Sequence, residues 1–416
     1  MIAVKPEIFL KKLFNIAISA VNPENFMTAH LPKKPRGKTV IIAAGKAAAS
    51  MTRAIEQVWQ GPLSGLGITR YGHNISAGKI EIIEAGHPLP DEAGLNAGRR
   101  SLQIARELRK DDLLLFLLSG GASALLVEPI AGLALQQKKL ITENLLRSGA
   151  PIDEINCVRK HLSAIKGGRL AAAAFPARVL TIAISDVVGD NPETIGSGPT
   201  VGDSTTCADA LAVTENRNIL ISPYVKMALK RGDWESLSPK DKRLQKNEYI
   251  IAARPTDAQV AAYNHGIKLG LAVELLGHNL EGESRTLANE HARIAKQSGP
   301  RLLLSGGETT VTLKGKLGRG GPNMEYLLAL AIALNGAANI YSIAGDTDGI
   351  DGTEDAAGAI ITPTTLNRAK KAGLDAKKML NEHDSYSFFK KLGDLLITGP
   401  TRTNVNDFRA IYITGS

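Results

Sequence analysis

An α/β fold with a largely parallel sheet is predicted, and three observations predict it. Short apolar runs of strand length alternate with longer stretches of helical periodicity, the signature of a largely parallel sheet with helices packed on it. The strongest run, LLLFLL at 113–118, passes directly into Ser119-Gly120-Gly121, a buried strand ending in a tight turn. Composition is that of an ordinary globular chain, 44% hydrophobic and 22% charged, and 416 residues suffice for two cores.

The elements follow in order. Residues 5–21 (KPEIFLKKLFNIAISAV) predict an amphipathic helix packed on a domain, with Pro6 near its start and Phe9, Leu13, Ile16 and Val21 near one face. Lys11, Lys12 and Asn15 interrupt any signal-peptide core. Strands are expected at 39–43, 80–84, 113–118, 179–184, 248–252, 272–276, 301–304, 340–343 and 410–413, and helices at 47–60, 93–108, 135–148 and 255–269. The polar stretch 231–246 carries Pro239 and breaks the periodicity, which places the domains at 1–238 and 239–416. LLFLLSGGASALL at 114–126 and RLLLSGGETTVTL at 301–313 echo each other. A repeated need for tight turns accounts for this better than duplication, because the likeness stops after the turn.

The formal charge of +9 is concentrated in three segments. Residues 1–53 carry +7, and residues 226–246 and 366–391 carry +4 each, leaving −6 elsewhere. The basic segments read as exposed helix faces and tails, so a nucleic-acid partner is not expected. Aromatics at 4% argue against base stacking, and no apolar run approaches the length of a membrane span. Two cysteines form no disulfide framework, and a cytoplasmic protein is expected.

Several loops could carry chemistry. Ser119-Gly120-Gly121-Ala122-Ser123 follows a strand, where ligands collect in open α/β sheets, and its glycines let backbone N–H groups approach phosphate oxygens. By itself it is also an ordinary tight turn. There is neither a GxxxxGK[ST] loop nor a GxGxxG after a strand, which disfavours a Walker site and a standard dinucleotide fold. Lys46 follows the strand TVIIA and can reach the same crevice, although its spacing suits solvation equally. On a helix through NCVRKHLSAIKGGRL (156–170), Val158, Leu162 and Ile165 would form a buried stripe, with Arg159, Ser163 and Lys166 on an adjacent face. Cations there suit an anionic substrate, and a salt-bridged surface face is an equal alternative. His161 and Cys157 read as packing.

Asp186 and Asp190 follow the strand VLTIAI, while Asp346, Asp348 and Asp351 follow the strand near 340 without EF-hand spacing. Carboxylates at strand ends suit a magnesium–nucleotide site, and they also form turns and caps. Arg319 and Arg402 are candidate anion ligands, and Asn404, Asn406 and Asp407 form a dense polar set. With no GxSxG, HExxH or CxxC pattern, the loops point to phosphoryl transfer, which depends on positioning and charge neutralisation.

Taken together, GKAAASM (45–51), GHPLPDEAG (86–94), LSGGASALL (118–126), EINCVRKHLSAIKGGRLA (154–171), SDVVGDNPETIGSGPT (185–200), GRGGPNMEYLLAL (318–330), GDTDGIDGTEDAAGA (345–359) and TGPTRTNVND (398–407) resemble the class II glycerate kinases with a C-terminal MOFRL domain. The resemblance implies ATP- and Mg²⁺-dependent phosphorylation of D-glycerate to 2-phosphoglycerate. It also implies two α/β domains, the larger a Rossmann-like three-layer sandwich and the second a MOFRL-type α/β domain, with the active site in the cleft between them, small-molecule partners only, and a homodimer. Carried onto this chain, Lys46 with Ser119, Gly120, Gly121 and Ser123 would hold phosphates, and Lys160 and Lys166 the anionic partners. Asp186 and Asp190 would lie near the metal, with Asp190 taking the hydroxyl proton. Glu308, Arg319, Asn323, Asp348, Asp351 and Asn404 would close over the site from the second domain. Many members read GRGGRNQE where this chain has Pro322 and Met324, removing one arginine. The rivals are an NAD(P)H-dependent hydroxypyruvate reductase, a name some members carry, and a non-catalytic sugar-acid sensor.

Overall fold

The computed structural model describes residues 5–75, 78–313, 315 and 318–415. It divides into two compact units, Phe26–Ala252 and Met1–Asn25 with Ala253–Ser416. This differs from the expected 1–238 and 239–416 at both ends, for identifiable reasons. The last strand of the first sheet is Glu248–Ala253, beside Arg178–Ile184, where Arg178 forks onto Glu248 at 2.7 and 3.1 Å. The N-terminal helix Pro6–Ala20 buries Phe9, Leu13 and Phe14, and packs Phe9 on Tyr412 and Phe14 on Phe408 in the second unit.

In the first unit the strands are β1 (Thr39–Ala44), β2 (Leu63–Arg70), β3 (Glu81–Ala85), β4 (Leu113–Leu118), β5 (Arg178–Ile184) and β6 (Glu248–Ala253). Their order is β3-β2-β1-β4-β5-β6, with β1 to β5 parallel. Every residue of β1 and β4 is buried, as expected for central strands covered on both faces. Val40, Ile42, Leu114 and Phe116 face Ala97, Leu102 and Ala105 of helix Glu92–Arg106 and the helix Arg169–Ala174. Thr52 of helix Ala48–Val58 lies over Gly67 and Ala43 on the other face, completing three layers.

A satellite core gathers Leu145, Ile155, Val158, Ala210, Val225 and Leu229 from four helices, Leu135–Arg147, Ile152–His161, Cys207–Asn216 and Pro223–Arg231, with Trp234 just beyond the last. The helix expected to run through Lys166 ends at His161. Ser163 Oγ then accepts from the amides of Ile165 and Lys166, turning the chain, so Arg159, Ser163 and Lys166 do not share a helical face.

In the second unit the strands are β7 (Val273–Gly277), β8 (Gly282–Glu283), β9 (Arg301–Gly307), β10 (Thr309–Thr310), β11 (Ile340–Asp346), β12 (Gly358–Ile361), β13 (Leu395–Leu396) and β14 (Asp407–Ile413). The main sheet runs β13-β12-β11-β14-β9-β7, antiparallel except between β7 and β9, where a largely parallel sheet was expected. The second Ser-Gly-Gly stays inside β9 as Ser305-Gly306-Gly307, whereas the first leaves its strand. Helix Pro322–Leu334 is buried over most of its length against the sheet core. Among the described residues no helix is long and apolar enough to cross a membrane.

Candidate active site

Strand order in the first unit reverses between β1 and β4, the crevice in which open α/β sheets place ligands beyond the carboxyl ends of their strands. The loop after β1 carries Gly45-Lys46 and the loop after β4 carries Ser119-Gly120-Gly121. They interlock: Lys46 N donates to Gly120 O at 2.8 Å, and Ala47 N to Ser119 Oγ at 3.0 Å. Gly45 has φ +126°, and a Cβ there would stand 2.2 Å from Ser119 Oγ. Gly121 has φ +85°, and a Cβ there would stand 3.0 Å from His87 Cδ2 and 3.5 Å from Lys46 Cγ. His87 and the Lys46 side chain therefore both lie against Gly121. His87, just past β3, was visible in the sequence only within the GHPLPDEAG motif; its contact with Gly121 exists only after folding.

Asp186 and Asp190 are half-buried on the loop after β5, at the same carboxyl edge. Asp190 has φ +53° after Gly189 at φ +80°, so the loop turns sharply there. Burial, with the Asp190 charge nearby, raises the Tyr249 phenol above its ordinary range.

Ser123 Oγ lies 2.8 Å from Ser197 Oγ, which donates to Asn156 Oδ1 at 3.0 Å, joining the SGGAS loop to the helix that carries Arg159 and Lys160. Lys166 is fully buried, its ammonium 3.4 Å from the carbonyls of Leu126 and Gly196. Burial, with the like charge of Arg159 nearby, brings its pKa down to about 7. Arg159 is half-buried, and among the described residues no side chain pairs with its guanidinium. Lys160 is different. Its Nζ is 2.5 Å from Asp203 Oδ1 and 3.6 Å from Glu193 Oε2, so the charge expected to meet an anion is already matched. The unmatched cation is one residue earlier.

In the second unit the ends of β9 and β11 meet the start of β14, with Asp407 opposite both Gly307 and Asp346. This register brings Glu308, Asp348 and Asn404 to one end of the sheet, joined by Asn323 at the start of helix Pro322–Leu334. Glu308 is exposed, whereas Asn323, Asp348, Asp351 and Asn404 are buried. Asp351 caps the helix, accepting from the amides of Asn323 at 3.0 Å and Met324 at 2.8 Å. Burial nonetheless pushes its carboxyl up to about 7. Asn323 Nδ2 donates to Asp407 Oδ1 at 2.6 Å, and the other Asp407 oxygen takes the Arg409 guanidinium. Asp351 and Asn323 thus hold the helix in place. Pro322 occupies the first helical turn, where a missing N–H costs nothing.

Arg319 is exposed and forks onto Glu354 at 3.2 and 2.5 Å, with its guanidinium 4.3 Å above the Tyr386 ring. Sequence reasoning found Arg319 but not Glu354, the carboxylate any incoming anion must displace.

Residues 9–230 match a family model described as a domain of unknown function, DUF4147, and residues 301–407 match the MOFRL family. The D-glycerate 2-kinase of Thermotoga maritima is 40% identical over 94% of this chain and 94% of its own length. The crystal structure of a glycerate kinase from that organism superposes with a TM-score of 0.89 at 38% identity, covering 98% of this chain and 99% of the other. A chain of Agrobacterium vitis provisionally named a hydroxypyruvate reductase is 46% identical over 97% of this chain and 94% of its own length. With a DUF4147 match over 9–230, a MOFRL match over 301–407 and a glycerate 2-kinase 40% identical over 94% of this chain, the chain belongs to the glycerate 2-kinase family of DUF4147–MOFRL proteins.

Proposed function

We propose that this protein transfers a phosphoryl group from ATP to the 2-hydroxyl of D-glycerate, giving 2-phosphoglycerate. The observation that carries the reading is the switch point itself. Its two loops present a lysine and a glycine turn, the parts phosphoryl transfer requires, and the loop after β1 reads Gly45-Lys46-Ala47-Ala48-Ala49 where a dinucleotide site needs further glycines. That composition argues against the hydroxypyruvate reductase name, even though the strand order is one that dinucleotide folds share.

In this reading Lys46 and the backbone of Gly120 and Gly121 hold phosphate oxygens. Arg159 and Lys166 take the carboxylate of glycerate, and Arg319 is the second unit's anion ligand. Asp186 and Asp190 fit Mg²⁺, as hard oxygen donors of the kind that ion takes one or two of from a protein. Bound there, the ion would neutralise charge on the phosphates. Asp190 accepts the hydroxyl proton, and Asp190→Asn is expected to abolish turnover in a folded protein. Phosphorus NMR of the product from D-glycerate and MgATP locates the transferred group. Oxidation of NADPH by hydroxypyruvate, with no ADP formed from glycerate and MgATP, would overturn the assignment.

A further inference from the structure

In the satellite helical core, outside the loops discussed above, His161, Cys207 and Glu235 converge from three segments. His161 closes helix Ile152–His161, Cys207 opens helix Cys207–Asn216, and Glu235 lies just beyond helix Pro223–Arg231. Their ligand atoms all lie within 4.8 Å of one another. We propose that they form a binding site for a borderline divalent cation, with zinc the natural occupant and solvent at the fourth position.

Four features support the assignment. His161 Nδ1 is 2.8 Å from the Cys157 carbonyl, which only accepts, so Nδ1 carries the proton and Nε2 faces Cys207 and Glu235. This is the carbonyl-anchored tautomer that metal-binding histidines adopt. Ser236 Oγ lies 3.3 Å from that Nε2, but its single proton goes to Asp203 Oδ2 at 2.6 Å, so Ser236 does not satisfy the ring nitrogen. Glu235 is held in position: the Cys207 amide donates to its Oε1 at 2.9 Å, and Arg169 grips its carbonyl at 2.9 Å.

The distances suit a tetrahedral ion. His161 Nε2 and Glu235 Oε2 are 3.5 Å apart, close to the roughly 3.3 Å edge that two bonds of about 2.0 Å subtend at zinc. The widest pair needs to close by only about an ångström. His161 and Cys207 are buried while the Glu235 side chain is 47% exposed, so the ion enters from the glutamate side. One thiolate and one carboxylate balance two positive charges, and hard Mg²⁺ does not favour a thiolate–imidazole set. Without metal, burial raises the Cys207 thiol to about 11, leaving it protonated and unreactive. Binding therefore converts Cys–SH to a metal-bound thiolate and releases that proton to solvent.

The test uses the full-length protein stripped of metal and titrated with Co²⁺ as a spectroscopic stand-in. A thiolate-to-cobalt charge-transfer band is expected, bleached by stoichiometric Zn²⁺ and retained in Cys157→Ser. It should be absent in Cys207→Ser, and Glu235→Gln should weaken binding by about tenfold or more. At the same concentration zinc should raise the melting temperature of the wild type more than that of Glu235→Gln, whose half-exposed side chain can be changed without unfolding the protein. No band at millimolar cobalt, or a band that survives Cys207→Ser, overturns the proposal. A failure of this test leaves the kinase assignment untouched, because none of the three residues is assigned to substrate.

Discussion

The Lys46 amide donates to the Gly120 carbonyl at 2.8 Å, so the loops after β1 and β4 form one hydrogen-bonded unit. The side chain of Lys46 passes beside Gly121, which His87 also approaches. Its charge can then stabilise the transferring phosphoryl group without reorganisation. Lys46→Met should therefore fold normally and lose about 10²–10³ in kcat. Turnover at saturating substrates, with circular dichroism as the control, checks this; wild-type kcat would remove Lys46 from the mechanism.

Gly45 is required sterically. Any Cβ there would stand 2.2 Å from Ser119 Oγ and 2.4 Å from the Ser119 carbonyl, in a backbone region that disfavours side chains. Gly45→Ala should destabilise the protein by at least about 1–3 kcal/mol, the cost of the backbone conformation alone. Gly72 also has a positive φ, +79°, but a Cβ would meet nothing within 4 Å, so Gly72→Ala should cost less. Urea midpoints of the two variants decide the matter, and equal shifts would mean that the Ser119 contact relaxes freely.

Lys166 should make glycerate binding depend on pH. Its pKa is lowered from 10.5 to about 7, so above about 7 the free enzyme holds it neutral while the unfolded chain keeps it charged. The unfolded state then binds more protons, and this group makes stability rise with pH between about 7 and 10.5. Binding runs the opposite way. An anion favours the ammonium form, so glycerate should draw in a proton above pH ~7 and its KM should rise with pH there. Calorimetry in buffers of different ionisation enthalpy measures that uptake, and Lys166→Met should abolish it. Uptake that persists in the variant would reassign the titration.

Much of this was legible in the sequence because one local signal sufficed. An unbroken apolar run ending in Ser-Gly-Gly marks β4 and its loop, and Lys46 follows β1 by the same reasoning. β2 was absent from the expected strands: LSGLGITR carries two glycines, and a Cβ on Gly65 would meet the Ile41 carbonyl at 1.8 Å. Glycine there permits a close strand approach that no local pattern announces. The helix assigned through Lys166 failed because the Ser163 hydroxyl competes for the amides of Ile165 and Lys166. The Asn323–Asp407 bond spans 84 residues of chain, beyond any reading of spacing. Lys160 and Arg159 are neighbours in sequence, and the positions of Asp203 and Glu193 separate a structural cation from an available one.

Arg319 supplies the last prediction, through the carboxylate it grips. In this structure the guanidinium is neutralised by Glu354 and stacked on Tyr386, so an anionic substrate has to compete with Glu354 for the same fork. If Arg319 binds substrate, Glu354→Gln removes the competitor and should lower the KM for ATP or glycerate severalfold. Arg319→Lys keeps the charge but loses the planar fork and much of the stacking, and should lower kcat/KM by about tenfold or more. The two variants should therefore move in opposite directions at fixed ionic strength. A purely structural pair would respond alike to both changes, with lower stability and unchanged KM values; thermal melts beside the kinetics distinguish that outcome.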